Sequence, residues 1–296
     1  MGALDGKVAI VTGAGRGLGR CHAELLAAEG AAVVVNDLGD GADEVAAAIT
    51  AAGGTAIAHR AGVSDWQEAE GLVQGAIDAF GDLHVLVCNA GFIRDAMSFS
   101  MEESQFDAVV DVHLKGHFAP AHFAGAYWRN QAKAAGEGAA PVGRRIITTT
   151  SESGLFGGPA QANYGSAKGG IITMTLVLAR ELGKYGVTVN CIAPRARTPM
   201  TEVSPSFAAP AEGFDKYDPA NVSPMVAWLA SDGAADVSGQ VFIVLGDQVH
   251  RIRPTEIASS IRAGDRRWTV ADLAAAKDQL FAGQPSGVPV WGGPPM

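Results

Sequence analysis

The chain has 296 residues, 38 of them glycine, and 22 basic residues stand against 31 acidic ones for a net charge of −9. That glycine share is roughly twice the usual one, and the acidic balance argues against nucleic acid as a partner. No apolar run reaches the ~20 residues of a membrane span. The stretch from Met1 to Gly6 runs straight into a strand, leaving no room for a signal peptide. Cys21, Cys88 and Cys191 are odd in number, far apart and form no C-x-x-C. They point to a reducing, cytoplasmic setting and to no metal site.

In chain order, short β-type runs alternate with helical stretches. Strands are expected at Lys7–Val11, Ala32–Asn36, Ala56–Ala58, Val85–Cys88, Arg145–Thr150, Thr188–Ile192 and Gln240–Leu245. Helices are expected at Arg20–Glu29, Ala42–Ala52, Trp66–Phe80, about Met101 to Ala135, Asn163–Tyr185 and Met225–Ala230, with Pro120 interrupting the long one. Strands separated by crossover helices predict an α/β fold, a doubly wound parallel seven-stranded Rossmann sheet with helices on both faces. Gly136–Gly143 reads as a flexible insertion. The fold would occupy residues 1–246 and a C-terminal extension residues 247–296.

The first strand leads into Thr12-Gly13-Ala14-Gly15-Arg16-Gly17-Leu18-Gly19. Strict G-x-G-x-x-G fails; G-x-x-x-G-x-G through Gly13, Gly17 and Gly19 is present. Its chemistry is the same: a tight turn, close backbone approach to a pyrophosphate, and a helix N-terminus aimed at the anion. Asp37 closes the second strand, where a carboxylate accepts from the adenosine ribose and repels a 2′-phosphate, favouring NAD over NADP. Arg16 is the counter-signal, since a guanidinium there could reach a 2′-phosphate.

Tyr164 and Lys168 are spaced i, i+4, on one helix face. A phenol near pKa 10 is a poor base at neutral pH, and a neighbouring ammonium stabilises its phenolate. Ser151 ends the fifth strand. Strands of one parallel sheet end on the same edge, which brings Ser151 toward Tyr164 beside the phosphate-binding turn.

With these residues in view, the chain resembles the short-chain dehydrogenase/reductase family over about residues 5–246. The resemblance rests on Thr12–Gly19, Asn89-Ala90-Gly91, Ser151, Tyr164 with Lys168, Asn190 with Pro194, and Val237-Ser238-Gly239-Gln240. It implies an NAD-dependent oxidoreductase acting on a secondary alcohol or ketone, with Tyr164 as acid/base. Lys168 would lower the pKa of Tyr164 and hold the nicotinamide ribose, and Ser151 would bind the substrate oxygen. Asn89, Ala90 and Gly91 would line the adenosine side, and Val63, Pro194 and Thr198 would complete the cofactor set. The stretches Asn36–Gly39, Val112–Gly116 and Ser151–Gly157 resemble the branch that holds the (3R)-hydroxyacyl-CoA dehydrogenase unit of peroxisomal multifunctional enzymes. By that resemblance the substrate is a 3-hydroxyacyl-CoA thioester or a steroid-like alcohol, and the assembly a homotetramer or homodimer. The alternative is a non-catalytic dinucleotide-binding regulator on the same fold.

The chain departs from the family pattern at several positions. His113 replaces the usual Asn of a proton relay; an imidazole can carry a proton and ordinarily titrates near pH 6.5, and both relay and packing roles stay open. Gly62 stands where the family has an Asp that accepts from adenine. Arg195 follows Pro194 in place of Gly, and Leu245-Gly246-Asp247 replaces a terminal Asp-Gly-Gly. His113, His117 and His122 do not make a metal site, because His122 lies off the face of the other two.

Residues 195–224 occupy the family's substrate-lid position and carry Arg195, Arg197, Lys216 and prolines at 199, 205, 210, 219 and 224. The cations could meet CoA phosphates or simply face solvent. In the extension, Thr269 reads as the N-cap of a helix with Leu273, Leu280 and Phe281 on an apolar face, and Trp291 as a lone anchor. This extension would pack on the fold or on a neighbouring subunit.

Overall fold

The computed structural model describes residues 2–136, 142–198, 207–253, 255–289 and 292–293. Most of the Gly136–Gly143 stretch, together with Pro199, Pro205 and Trp291, lies outside these residues. By contacts the chain divides into Met1–Ile252 and Arg253–Met296.

In the first unit, β1 (Val8–Thr12), β2 (Ala32–Asp37), β3 (Thr55–Arg60), β4 (Val85–Cys88), β5 (Arg144–Thr149), β6 (Val187–Pro194), β7 (Val241–Leu245) and β8 (Gln248–Ile252) form one sheet. Its order is β3-β2-β1-β4-β5-β6-β7-β8. β1 and β4 are wholly buried, as continuous apolar runs must be in a parallel sheet covered on both faces. The order reverses between β1 and β4, which opens a crevice at the carboxyl ends of the strands.

The crossovers are α1 (Gly17–Ala28), α2 (Gly41–Ala51), α3 (Trp66–Phe80), α4 (Glu103–Val110), α5 (Gly116–Ala135), α6 (Glu152–Phe156), α7 (Ala162–Leu182) and α8 (Ser223–Ala230). The buried side chains of α1, α2 and α8 share one core with β1 and β2. Those of α3, α5 and α7 form the other, around Trp128, whose Nε1 donates to Leu83 O at 2.7 Å. α3 shows how local sequence sets these elements. Asp65 caps it by accepting from Gln67 N and Glu68 N, both at 2.9 Å, and Gly81 ends it in the left-handed region.

The structure corrects the sequence reading at three places. The sheet has an eighth strand, antiparallel to β7, joined to it by the two-residue turn Gly246-Asp247. Gln248, His250 and Arg251 are polar and Val249 is exposed, so the run shows no apolar face to read. The sheet therefore runs past residue 246. Pro120 does not break the long helix: it lies inside α5. The irregularity sits one turn earlier, where Asp111–Lys115 is a π-turn and Gly116 N donates to Asp111 O. Finally, α6 was not expected at all.

In the second unit, α9 (Val270–Ala275) and α10 (Lys277–Phe281) replace the single expected helix. Thr269 caps α9 in a reciprocal box with Asp272, as its sequence foretold. No residue of either helix is buried, and Leu273, Leu280 and Phe281 remain 45%, 39% and 38% exposed.

Candidate active site

The turn after β1 is built for close approach. Gly13 sits at φ +62°, and a Cβ on it would fall 2.6 Å from Ala90 Cα; a Cβ on Gly19 would fall 2.2 Å from Gly13 O. Asn89 Nδ2 donates to Thr12 O at 3.0 Å and to Gly13 O at 3.2 Å, and Thr12 Oγ1 accepts from Asn89 N and Ala90 N. The β4 end thus fixes the shape of the loop. Arg16 is the N-cap of α1 but makes no side-chain cap bond, so the first amides of the helix face the cleft without a side-chain cap. An anionic diphosphate fits that donor set.

The cleft is lined by Gly13, Arg16, Gly17, Leu18, Gly19, Asp37, Val63, Asn89, Ala90, Gly91 and Thr198. These are the expected cofactor residues apart from Pro194, Tyr164 and Lys168, which are not among its walls. Gly62, the position of the missing family Asp, also lines it, and so do Asn36, Leu38, Ala61, Ser64, Phe92 and Val112, which were given no cofactor role from sequence. Several of them adjoin expected residues in the chain, and that adjacency was the available signal.

Asp37 is held at the cleft mouth: its Oδ2 accepts from Gly15 N at 2.9 Å and its Oδ1 from Leu38 N at 2.8 Å. Opposite it on β3, Arg60 pairs with Asp40 at 2.7 Å and Asp43 at 2.6 Å. Glu68, from the first turn of α3, accepts from Gly62 N. Its Oε2 lies 3.0 Å from where a Cβ on residue 62 would stand. A carboxylate from α3 therefore reaches the place left by the missing Asp.

Tyr164 and Lys168 project from α7, and Ser151 caps α6 at the end of β5 by accepting from Ser153 N at 3.2 Å. That bond uses an Oγ lone pair and leaves the hydroxyl proton for another acceptor. Lys168 is 2% exposed; its Nζ donates to Thr149 O at 2.6 Å and stands 5.6 Å from the Tyr164 ring centroid. Burial pushes the Lys168 ammonium down to about 7. Burial raises the Tyr164 phenol above its ordinary value, the Ser151 hydroxyl pulls it back, and the Asp95 carboxylate adds to the rise.

His113, on the π-turn, packs edge-on against Tyr164 and touches Phe92 of the cleft wall. It is 1% exposed. Its Nε2 lies 2.6 Å from Phe92 O and 3.1 Å from Phe92 N, while its buried Nδ1 has no partner among the described residues. Burial, with the nearby Lys168 charge, pushes it down to about 3. The expected titration near pH 6.5 is thereby corrected: His113 is neutral across the working range. The structure brings Ser151, Tyr164, Lys168 and His113 to one end of the sheet.

The cations after β6 are engaged. Arg195 is 6% exposed and forks onto Glu152, with Nε 3.0 Å from Oε2 and Nη2 2.6 Å from Oε1. Arg197 pairs with Asp215, and Lys216 lies over the Tyr217 ring at 4.8 Å. Each arginine holds a carboxylate. His122 belongs to an aromatic cluster with Trp66, Phe118 and Phe123, whereas His113 and His117 are buried.

A family model described as short chain dehydrogenase matches residues 7–207. Hydroxyacyl-CoA dehydrogenase ChsB1 of Mycobacterium tuberculosis (strain ATCC 25618 / H37Rv) is 45% identical, covering 95% of this chain and 90% of its own. Peroxisomal multifunctional enzyme type 2 of Drosophila melanogaster is 37% identical over 84% of this chain, which spans 41% of that protein. A crystal structure of a short chain dehydrogenase from Mycobacterium avium has 48% identity and a TM-score of 0.88, covering 99% of this chain and all of its own.

Proposed function

The chain belongs to the short-chain dehydrogenase family, and from that premise we propose that it oxidises a 3-hydroxyacyl-CoA or a steroid-like secondary alcohol, or reduces the matching ketone, with NAD as cofactor. The observation that carries the reading is the meeting of Ser151, Tyr164 and Lys168 at the sheet end that holds the glycine cradle. The hydroxyacyl-CoA class is supported by ChsB1, whose name states that activity.

When bound, the dinucleotide supplies a hydride acceptor or donor at its nicotinamide. The chain supplies the rest. Gly13, Gly17 and Gly19 admit the diphosphate, and Asp37 takes the ribose hydroxyls. Tyr164 takes the proton of the alcohol oxygen in oxidation and returns it in reduction. Ser151, whose hydroxyl also bonds Tyr164, turns its proton to that oxygen and orients it. Lys168, pinned by Thr149 O, would hold the nicotinamide ribose, and His113 Nδ1 accepts the next hydrogen bond of a relay behind Tyr164.

NAD is favoured because Asp37 occupies the ribose position and Arg60 is committed to Asp40 and Asp43. Glu68 takes the adenine amino group in place of an acid at residue 62. The reducing, cytoplasmic setting is supported by the three free thiols; burial raises Cys88 to about 12 and Cys191 to about 11. Among the described residues, no helix is long and apolar enough to cross a membrane. A homotetramer or homodimer is supported by an apolar groove over α4, α5 and α7 that includes Val110, Leu114, Phe118 and Met174. Residues 1–246 then form the catalytic domain, with 195–224 as its lid. Residues 247–252 extend its sheet, and the rest of the extension is a packing element.

The test is incubation of the purified protein with NAD and a panel of secondary alcohols that includes 3-hydroxyacyl-CoA thioesters, read by NADH absorbance. Turnover that disappears in Tyr164→Phe is expected. No turnover with any of them sinks the reading and returns the non-catalytic alternative.

A further inference from the structure

A buried ion pair is weak evidence for stability, because desolvating two charges offsets most of their attraction. The pair between Glu152 and Arg195 is such a case: the side chains are 14% and 6% exposed. Arg195 Nε and Nη2 both engage the carboxylate, with Nη2 at 2.6 and 2.8 Å from its two oxygens. Forked pairs of this kind fix orientation as well as distance.

Its position gives it a use. Glu152 directly follows Ser151 and opens α6; Arg195 directly follows Pro194 at the end of β6. The two strands lie side by side and the two chain ends leave the same sheet edge, joined by Thr150 N to Ile192 O at 2.7 Å. From Arg195 the chain continues to Thr198, which lines the cofactor cleft. α6 is pressed on the catalytic helix: a Cβ on Gly154 would fall 2.6 Å from Lys168 C. The backbone of α6 also returns to Ser151, with Gly154 N donating to Ser151 O at 2.9 Å.

We propose that the Glu152–Arg195 pair is a positioning clamp that fixes the Ser151 turn relative to the strand end carrying Thr198, and so aligns the substrate-oxygen donor with the cofactor. Both residues act through their neighbours and touch no reacting group themselves. The inference rests on the dehydrogenase reading above.

The test is a double-mutant cycle. Glu152→Gln keeps the shape and removes the charge. It should lower kcat about tenfold or more, as expected for a misplaced reacting group, with a smaller change in KM. In a Ser151→Ala background the same substitution should cost less than about twofold. NADH affinity, read by fluorescence without turnover, should weaken several-fold in both backgrounds as Thr198 loosens. Arg195→Lys, which keeps the charge and loses the fork, runs through the same cycle should Glu152→Gln fail to fold. Equal loss of kcat in both backgrounds, no loss in either, or unchanged NADH affinity overturns the clamp. Those results leave the parent protein active, whereas failure of the dehydrogenase reading leaves the parent itself without turnover.

Discussion

The ring of His113 stands edge-on to the ring of Tyr164, with centroids 5.1 Å apart and planes at 86°. The contact places a neutral imidazole against the proposed acid/base, with one ring nitrogen committed to the Phe92 backbone and the other buried without a partner among the described residues. The Nε2–H of His113 is held by a carbonyl that cannot take the proton, so the ring passes none through itself; it serves a relay by accepting a hydrogen bond at Nδ1, with no titration. His113→Ala should lower kcat about tenfold or more, His113→Asn should recover part of it, and any kinetic pKa of the parent between about 6 and 7 should persist in the Asn variant. Turnover in His113→Ala equal to the parent assigns the ring to packing alone.

The acid limb of alcohol oxidation should belong to Tyr164. Since burial and Asp95 raise its pKa, the oxidation rate should climb with pH well into the alkaline range. Asp95→Asn removes one raising charge, so its limb should move to lower pH. A limb that moves upward, or stays in place, contradicts the assignment.

Cofactor choice should yield at the mouth of the cleft. Asp37→Ser removes the charge that repels a 2′-phosphate while Arg16 stays, and should raise kcat/KM with NADP about tenfold or more relative to NAD. Unchanged preference would move the discrimination elsewhere.

Glu68 should distinguish adenine from hypoxanthine, whose ring lacks the amino donor. Calorimetric affinities for NAD and for its hypoxanthine analogue should differ in the parent, and the difference should shrink about tenfold in Glu68→Ala. Equal discrimination in both proteins would leave the adenine to the Val63 backbone.

Acid stability follows from the buried histidines. Burial takes His22 down to about 3, against about 6.5 in the unfolded chain. Between those values the unfolded state holds a proton that the native state refuses, so stability falls as pH drops through the window. The slope is about 1.4 kcal/mol per pH unit for such a group. His22→Gln should flatten the fall of Tm between pH 6.5 and 4; an unchanged slope would mean that His22 is protonated in the native protein.

Much of this architecture was legible because its signals are local. β4 falls on Val85–Cys88 and α3 on Trp66–Phe80, as their patterning predicted. Glycine spacing, Asp37, and the i, i+4 step from Tyr164 to Lys168 pointed to the site for the same reason. What sequence could not show depends on partners distant in the chain. Arg195 reads as a loop cation until Glu152, 43 residues away, is seen to hold it. Glu68 reads as a helix-start acid until its carboxylate is found at Gly62. β8 is too polar on its outer face to stand out without β7 beside it.

The turn at Asp111–Lys115 has a consequence of another kind. A π-turn holds one residue more than the α-helix it interrupts, and each residue rotates a helix by about 100°. The turn widens to take that residue up, so α4 and α5 keep the faces they would present without it, and Val109 and Trp128 both stay buried. Deleting one residue there should leave the two helices in register and cost chiefly the placement of His113 against Tyr164.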